Sequence, residues 1–207
     1  MKKGNFLLNA TIAVLLVAVV GGIIYWLWWG QSRLLVVGRA PDFTLESLEG
    51  TPVQFYEHSG KVRVVEFMFT NCPDICPVTT ANLVEIQKEL KEKEVFGNKV
   101  NFFAITFDPA KDTPEVLREY ASTLKMDLNG WVILRGSEEE TRKIVESYGG
   151  FVEKQPDGSF AHSIRSLVLV DQNNNIRKIY DMGQEMPTDE VEKDILSLVN
   201  EHRPFWR

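Results

Sequence analysis

Residues 6–29 form an unbroken run of 24 uncharged side chains, of which Asn9 and Thr11 are the most polar. A helix rises about 1.5 Å per residue, so the run is long enough to cross a bilayer core of about 30 Å. Lys2 and Lys3 precede it, and Tyr25, Trp26, Trp28 and Trp29 close its far end. Basic residues on the N-terminal side keep that end in the cytoplasm, and the aromatics read as a belt at the opposite interface. A cleaved signal peptide is the rival reading, but the run exceeds a usual signal core and no A-x-A-like site follows it. No cysteine lies near the N-terminus to carry a lipid. The expected layout is a cytoplasmic stub and transmembrane anchor over residues 1–33, then an extracytoplasmic domain over 34–207. A single-pass protein of a bacterial cell membrane fits this layout.

The formal charge of the 207 residues is −6, the wrong sign for a nucleic-acid binder. Without Lys2, Lys3 and Arg33 the remainder holds 20 basic and 29 acidic residues, a net of −9. Such a surface suits solubility and a basic or metal-bearing partner. Hydrophobic residues at 44% allow a packed core. Two cysteines exclude a disulfide-stapled mini-domain and any four-cysteine zinc or iron–sulfur site.

Beyond a linker at 38–41, strand-like and helix-like patterns alternate. Residues 42–55 read as two short strands around a turn at Glu49-Gly50. Residues 61–70 and 99–107 are rich in β-branched and aromatic side chains and read as buried strands. Between them, 78–93 carries Leu83, Ile86 and Leu90 on one helical face. Thr113 and Pro114 mark a helix start, as N-cap and first helical residue, with the helix running to about 126. A strand at 131–134 precedes a helix opened by Ser137 and closed by Gly149-Gly150. A hairpin is expected over 151–170, turning at Pro156-Asp157-Gly158, with 166–170 as its second arm. A turn at 173–175, a strand at 176–180 and a helix over 188–202 complete the chain. The order predicts an α/β chain with a mixed sheet and helices on both faces. It is that of a thioredoxin-like fold with an N-terminal hairpin extension and an inserted hairpin, preceded by the transmembrane helix.

Cys72 and Cys76 lie in T-N-C-P-D-I-C-P, between a strand end and a helix start. Four apart on a helical turn, both sulfurs can face one side, where helix N-terminal N–H groups stabilise thiolates. Pro77 suits the first turn, which does not need its N–H. Soft sulfur ligands favour Cu(I), and imidazole suits copper in either oxidation state. Of the three histidines, His162 lies just before the apolar 166–170 strand, in a loop that a thioredoxin-like sheet brings to the cysteines. Thioredoxins place a cis-proline there; this chain has no proline between Pro156 and Pro187. That leaves room for a Cys-Cys-His site. A structural disulfide remains open, although closing so short a loop gains little chain entropy. His58 and His202 read as solvated.

The segments FTNCPDICP, FDPAKDTPEVLREYA and AHS before a strand together resemble the Sco/SenC family over about residues 38–203. Its members are membrane-anchored copper proteins that assist assembly of cytochrome c oxidase. The resemblance implies Cys72, Cys76 and His162 as ligands of Cu(I) or Cu(II), and Asp108 as an acidic position near the site. It implies copper delivery to the dinuclear copper centre of oxidase subunit II, or reduction of that centre's cysteines; another copper or thiol protein could be the recipient. The chain departs from the family at Asn71, where an aromatic residue often precedes the first cysteine.

Glu66 stands mid-strand, six residues before Cys72. The ordinary expectation is a sheet-edge carboxylate paired with Lys or Arg, or one pointing to solvent. Buried instead, it would have a raised pKa and could exchange protons with a nearby thiol. Asp74, between the cysteines, could orient a loop N–H or tune the site's charge, or simply be a solvated turn residue. Met68 reads as core, Met182 and Met186 as surface contacts of a loop, and Glu138-Glu139-Glu140 as the acidic start of a helix.

The leading expectation is a metallochaperone rather than an enzyme. The alternative is a thiol–disulfide oxidoreductase in which Cys72 attacks and Cys76 resolves the mixed disulfide. A peroxiredoxin-like peroxidase is disfavoured, because no P-x-x-x-T-x-x-C arrangement occurs.

Overall fold

A computed structural model of the chain describes residues 11–23, 25, 34–155, 160–162 and 166–201, the side chains of Ala161 and His162 excepted. The chain divides into two units, residues 1–33 and 34–207. In the first, residues 11–23 are an α-helix, α1, whose Val14, Leu15, Leu16 and Val17 are exposed. No helix among the described residues is long and apolar enough to cross a membrane. Lys2, Lys3, Trp26, Trp28 and Trp29 lie outside the described residues.

The second unit is built on a sheet whose centre is β4 (Val62–Met68) and β5 (Val100–Thr106), parallel to each other. All seven residues of each are buried. Strands covered on both faces become continuous apolar runs, which is why these two were legible. β6 (Trp131–Arg135) extends the parallel set. It is flanked by the antiparallel hairpin β2 (Thr44–Ser47) and β3 (Pro52–Gln54). On the other side of β4 lie β9 (Ser166–Val170), β10 (Asn175–Asp181) and, at the edge, β1 (Gly38–Arg39), each antiparallel to its neighbour. A separate two-stranded ribbon pairs β7 (Val152–Lys154) with β8 (Phe160–His162).

Three helices cover one face: α2 (Ile75–Glu92), α3 (Pro114–Leu124) and α5 (Thr188–Glu201). Their Leu83, Leu117 and Ile195 pack with Val62, Val64 and Phe102. The other face is covered by α4 (Glu138–Ser147), whose Ile144 and Val145 join Val65, Phe67, Phe103 and Phe55. This is the thioredoxin-like α/β fold that the element order indicates, with β2–β3 as the N-terminal hairpin and β7–β8 as the inserted one. Local capping sets the helix starts. Thr113 accepts from the N–H of Val116 with Pro114 behind it, and Ser137 and Glu140 form a reciprocal capping box. Gly149, at φ +82°, follows the end of α4 in the left-handed region.

Three boundaries differ from expectation. The 38–41 linker contains β1, whose Gly38 pairs with Ile176 and whose entry is fixed by Val37 N–H donating to Ile176 O at 2.8 Å. Two residues of strand carry no period that a sequence reading could detect. The arm that returns from β7 is β8, not residues 166–170. Those residues send Leu167 and Leu169 to one core and Val168 and Val170 to the other, so they sit in the sheet between β4 and β10. The turn at Pro156-Asp157-Gly158 lies outside the described residues. Finally, α2 starts at Ile75, so Cys76 belongs to its first turn.

Candidate functional site

Because β4 and β5 run parallel, their C-terminal ends emerge at one edge of the sheet, where such folds place their sites. β4 leads through Phe69, Thr70 and Asn71 to Cys72; β5 leads through Phe107 to Asp108. A turn closes on the first cysteine, with Cys72 N–H donating to Phe69 O at 3.2 Å. Asn71, Pro73 and Asp74 are exposed, while both cysteines are buried free thiols.

Asp74 is the N-cap of α2, yet its side chain makes no capping bond. The sulfur of Cys72 takes that place, accepting from Cys76 N–H at 3.4 Å. The thiol of Cys76 donates to the same sulfur, and the N–H groups of Asp74, Cys76 and Ile75 add to it. Together they outweigh burial and hold the Cys72 thiol at about 5. The same sulfur–sulfur hydrogen bond, with burial, pushes Cys76 above the ordinary thiol range. The asymmetry favours negative charge on Cys72 and the proton on Cys76 in the reduced pair.

Asp108 is buried, and neither carboxylate oxygen has a hydrogen-bond partner among the described residues; Lys111 Nζ lies 3.8 Å from Oδ2. Burial raises its pKa, with Lys111 opposing. Phe107, beside it, packs with Phe69 at 5.1 Å and with Phe160 at 5.3 Å between ring centroids, and Phe160 meets Phe69 at 5.8 Å. These three rings hold β8 against the ends of β4 and β5. His162 follows Phe160 by two residues, and its backbone pairs with Val152 in the ribbon. Its ring lies outside the described residues. Among the described residues no group of three or more His, Cys, Asp or Glu is gathered as a metal site.

Glu66 departs from its ordinary expectation. It is fully buried, on the β4 face shared with Val64 and Met68, and no Lys or Arg pairs with it among the described residues. The strand is central, so its side chain has no route to an edge. Thr80 Oγ1 donates to Oε1 at 3.5 Å and also meets Tyr120 OH at 3.1 Å, while Oε2 has no hydrogen-bond partner among the described residues. Burial pushes the carboxyl up to about 8, with the Thr80 bond pulling the other way.

Met68 is core as expected, but Met182 and Met186 are buried too, packed in the same cluster as the cysteines. His58 is half-buried rather than solvated. Its Nδ1 lies 3.3 Å from Asn101 Oδ1, its ring stands edge-on to Phe103, and burial lowers its pKa. His202 lies outside the described residues. Asp112, Thr70 and Thr106 were missed. Asp112 is fully buried, with three donor groups on its carboxylate from the ends of β4 and β5. In sequence it reads only as the residue before a helix cap.

Beside the cysteine loop is a cleft of about 550 Å3 lined by Asp74, Ile75, Asp181, Met182, Gly183, Gln184 and Glu185. Gly183, at φ +80°, lies so close that a Cβ would sit 2.8 Å from the Ile75 side chain. Its N–H donates to Thr79 and its carbonyl accepts from Asn82, which pins this wall to α2.

Residues 38–200 match the model of the SCO1/SenC family. The SCO1 protein homolog of Bacillus subtilis is 28% identical over 158 residues, covering 75% of this chain and 80% of that protein. The structure of BsSco, described as a member of the Sco family of cytochrome c oxidase assembly proteins with a disulfide switch, matches with a TM-score of 0.70 and 26% identity. It covers 82% of this chain and 99% of BsSco. Arabidopsis thaliana ScoI with copper bound matches with a TM-score of 0.66 and 28% identity, over 79% of this chain and 99% of that one.

Proposed function

The chain belongs to the SCO1/SenC family, and on that premise we propose that it is a copper-binding assembly factor for cytochrome c oxidase, with Cys72, Cys76 and His162 holding one copper ion. One observation carries the reading: the Cys72 thiolate caps α2 with Cys76 as its proton donor. Such a pair is a soft, anionic donor set already assembled at a solvent edge. Cu(I) suits these two sulfurs and an imidazole, and Cu(II) would take a further oxygen ligand. Asp108, whose carboxylate oxygens accept no hydrogen bond among the described residues, stands on the strand end next to the cysteine loop. Copper in relatives solved with the metal supports the same donor chemistry.

The cargo leaves by ligand exchange. A partner thiolate replaces one sulfur, then the other, so that no bare ion is released. Cysteines of oxidase subunit II are the proposed recipient. The exposed rim from Asn71 to Asp74 is the docking edge, continued by the cleft with Asp181 and Glu185 on its wall. Residues 1–33 are proposed as the membrane anchor, N-terminus in the cytoplasm, and residues 34–207 as the extracytoplasmic domain of a bacterial cell membrane protein. The charge-free run and its helix at 11–23 support this.

The thiolate–thiol asymmetry also favours a second reading, reduction of partner disulfides by Cys72 with Cys76 resolving. The full chain in detergent, reduced and given Cu(II) without oxygen, separates the two. A stoichiometric sulfur-to-copper charge-transfer band and one paramagnetic species, lost in His162→Ala and in Cys72→Ser, fit the copper reading. Oxidation of both thiols with no metal retained, unchanged in His162→Ala, fits the reductase and sinks the copper site.

A further inference from the structure

We propose that Asp112 is the positioning residue of the site: a buried carboxylate that grips the cysteine loop from inside and buckles it to the end of β5. The role rests on Cys72 and Cys76 being the working pair. The parallel ladder of β4 and β5 runs out at Met68 and Thr106, and its last bond is Phe107 N–H to Met68 O at 3.1 Å. Thr70 lies past that point, inside the turn that Cys72 N–H closes on Phe69 O. Among the described residues no strand neighbour pairs with Thr70, and Asp112 replaces one. Its Oδ1 accepts from the Thr70 hydroxyl at 2.5 Å, and Thr70 N–H lies 3.3 Å from Oδ1 and 3.2 Å from Oδ2.

The same carboxylate reaches the other strand. Thr106 Oγ1 donates to Asp112 Oδ2, and accepts in turn from Asp108 N–H at 3.1 Å. Asp112 N–H donates to Asp108 O at 2.9 Å. One side chain thus holds Thr70, two residues from Cys72, and through Thr106 the backbone of Asp108. Only Asn71 separates the gripped residue from the sulfur that caps α2.

Merely ending a strand does not require a carboxylate. Asp112 is fully buried, and no Lys or Arg is paired with it among the described residues. Hydrogen bonds to a carboxylate are stronger and more directional than neutral ones. That stiffness matters at a site whose donor atoms must sit within about half an ångström of their working places. The two threonines belong to the device, because among the described residues theirs are the side-chain hydroxyls that donate to Asp112. The structure therefore assigns to the aspartate, the threonine two before the first cysteine and the threonine at the end of β5 a single task. They fix where the Cys72 sulfur stands relative to Asp108 and α2.

The test uses the full chain in detergent with Asp112→Asn and Thr106→Val. Copper affinity is read by chelator competition, the Cu(II) paramagnetic spectrum records geometry, and thermal melting records the fold. Asp112→Asn is expected to weaken copper binding at least about tenfold, as loss of groups that orient ligands does. It should also replace one spectral species by several. Thr106→Val should move both readouts the same way, by less, and carries the test if Asp112→Asn does not fold. Variants that melt earlier while keeping wild-type affinity within about twofold and a wild-type spectrum would overturn the proposal, leaving Asp112 a scaffold residue. If the wild type takes up no copper, that failure belongs to the metal reading. The proposal is then judged by alkylation of the reduced pair: Asp112→Asn must lower the preference for Cys72 over Cys76, and an unchanged preference overturns it.

Discussion

Asp112 and Glu66 are both closed off from solvent near the cysteine loop, and their surroundings differ completely. Asp112 has donors on both oxygens; among the described residues Glu66 has one hydroxyl at 3.5 Å on Oε1 and no donor on Oε2. The cause is position along the chain. Asp112 sits where two strands have ended, so backbone N–H groups and threonine hydroxyls are free to turn toward it. Glu66 projects from mid-strand, where β5 has taken up the backbone donors and only side-chain hydroxyls from α2 and α3 remain. A buried carboxylate can serve as a fastening where the ladder stops, and is held as a neutral acid where the ladder continues.

The largest expected effect is on the fastened side. Asp112→Ala leaves the Thr70 N–H and two hydroxyls without their acceptor, and should cost about 3–5 kcal/mol in denaturant unfolding. A cost under about 1 kcal/mol would mean that the loop finds other partners and the comparison is empty. Glu66→Gln should act the other way, and only in one pH range. With a folded pKa near 8 against an ordinary 4.5, wild-type stability from this group is fully present below pH 4.5. It falls as pH rises toward 8, because the unfolded chain then releases a proton that the folded chain keeps. The shift corresponds to about 5 kcal/mol, and the unsatisfied amide of Gln forfeits about 1–3 of it. Unfolding at pH 9 should therefore show a gain of about 2–4 kcal/mol, turning into a loss of about 1–3 kcal/mol at pH 4. A gain independent of pH would show that burial alone, not charge, was relieved.

The sulfur of Cys72 extends the comparison, since like Asp112 it is met by a backbone N–H group. Its alkylation rate should level off with rising pH after an inflection near 5, with Cys76 far slower throughout. An inflection near the ordinary thiol value of 9 would remove the sulfur from the fastened class. The smallest effect belongs to Thr80→Val. It deletes a long bond to Glu66 and should change stability by about 0.5 kcal/mol, less than Thr106→Val at about 1–2 kcal/mol. Equal costs for the two threonines would erase the distinction between the carboxylates they serve.

What could be read in advance follows the same division between local and distant causes. The starts of α3 and α4 were legible because Thr113-Pro114 and Ser137 with Glu140 act within one turn of helix. β4 and β5 were legible because burial on both faces writes itself into every residue. The cysteine spacing made their proximity legible, since both sulfurs belong to one loop and one helical turn. β1 was not legible: Gly38 becomes a strand only through Ile176, far along the chain. The partner of β7 was misassigned because Ser166–Val170 and Phe160–His162 both look like return arms, and only burial in the sheet decides between them. Asp112 was invisible for a related reason, as Thr70 lies 42 residues away from it. Glu66 was judged by what exposed strands usually do, and the central place of β4 overrode that.

The seven buried residues of β4 also bear on time rather than geometry. Amides in the middle of an eight-stranded sheet exchange with solvent only when the whole domain opens, whereas loops exchange through small local openings. The cysteine loop leaves directly from this slowest region. Its attachment should therefore outlast many openings of the loop, and the lifetime of that anchor is set by global unfolding rather than by motions of the loop itself.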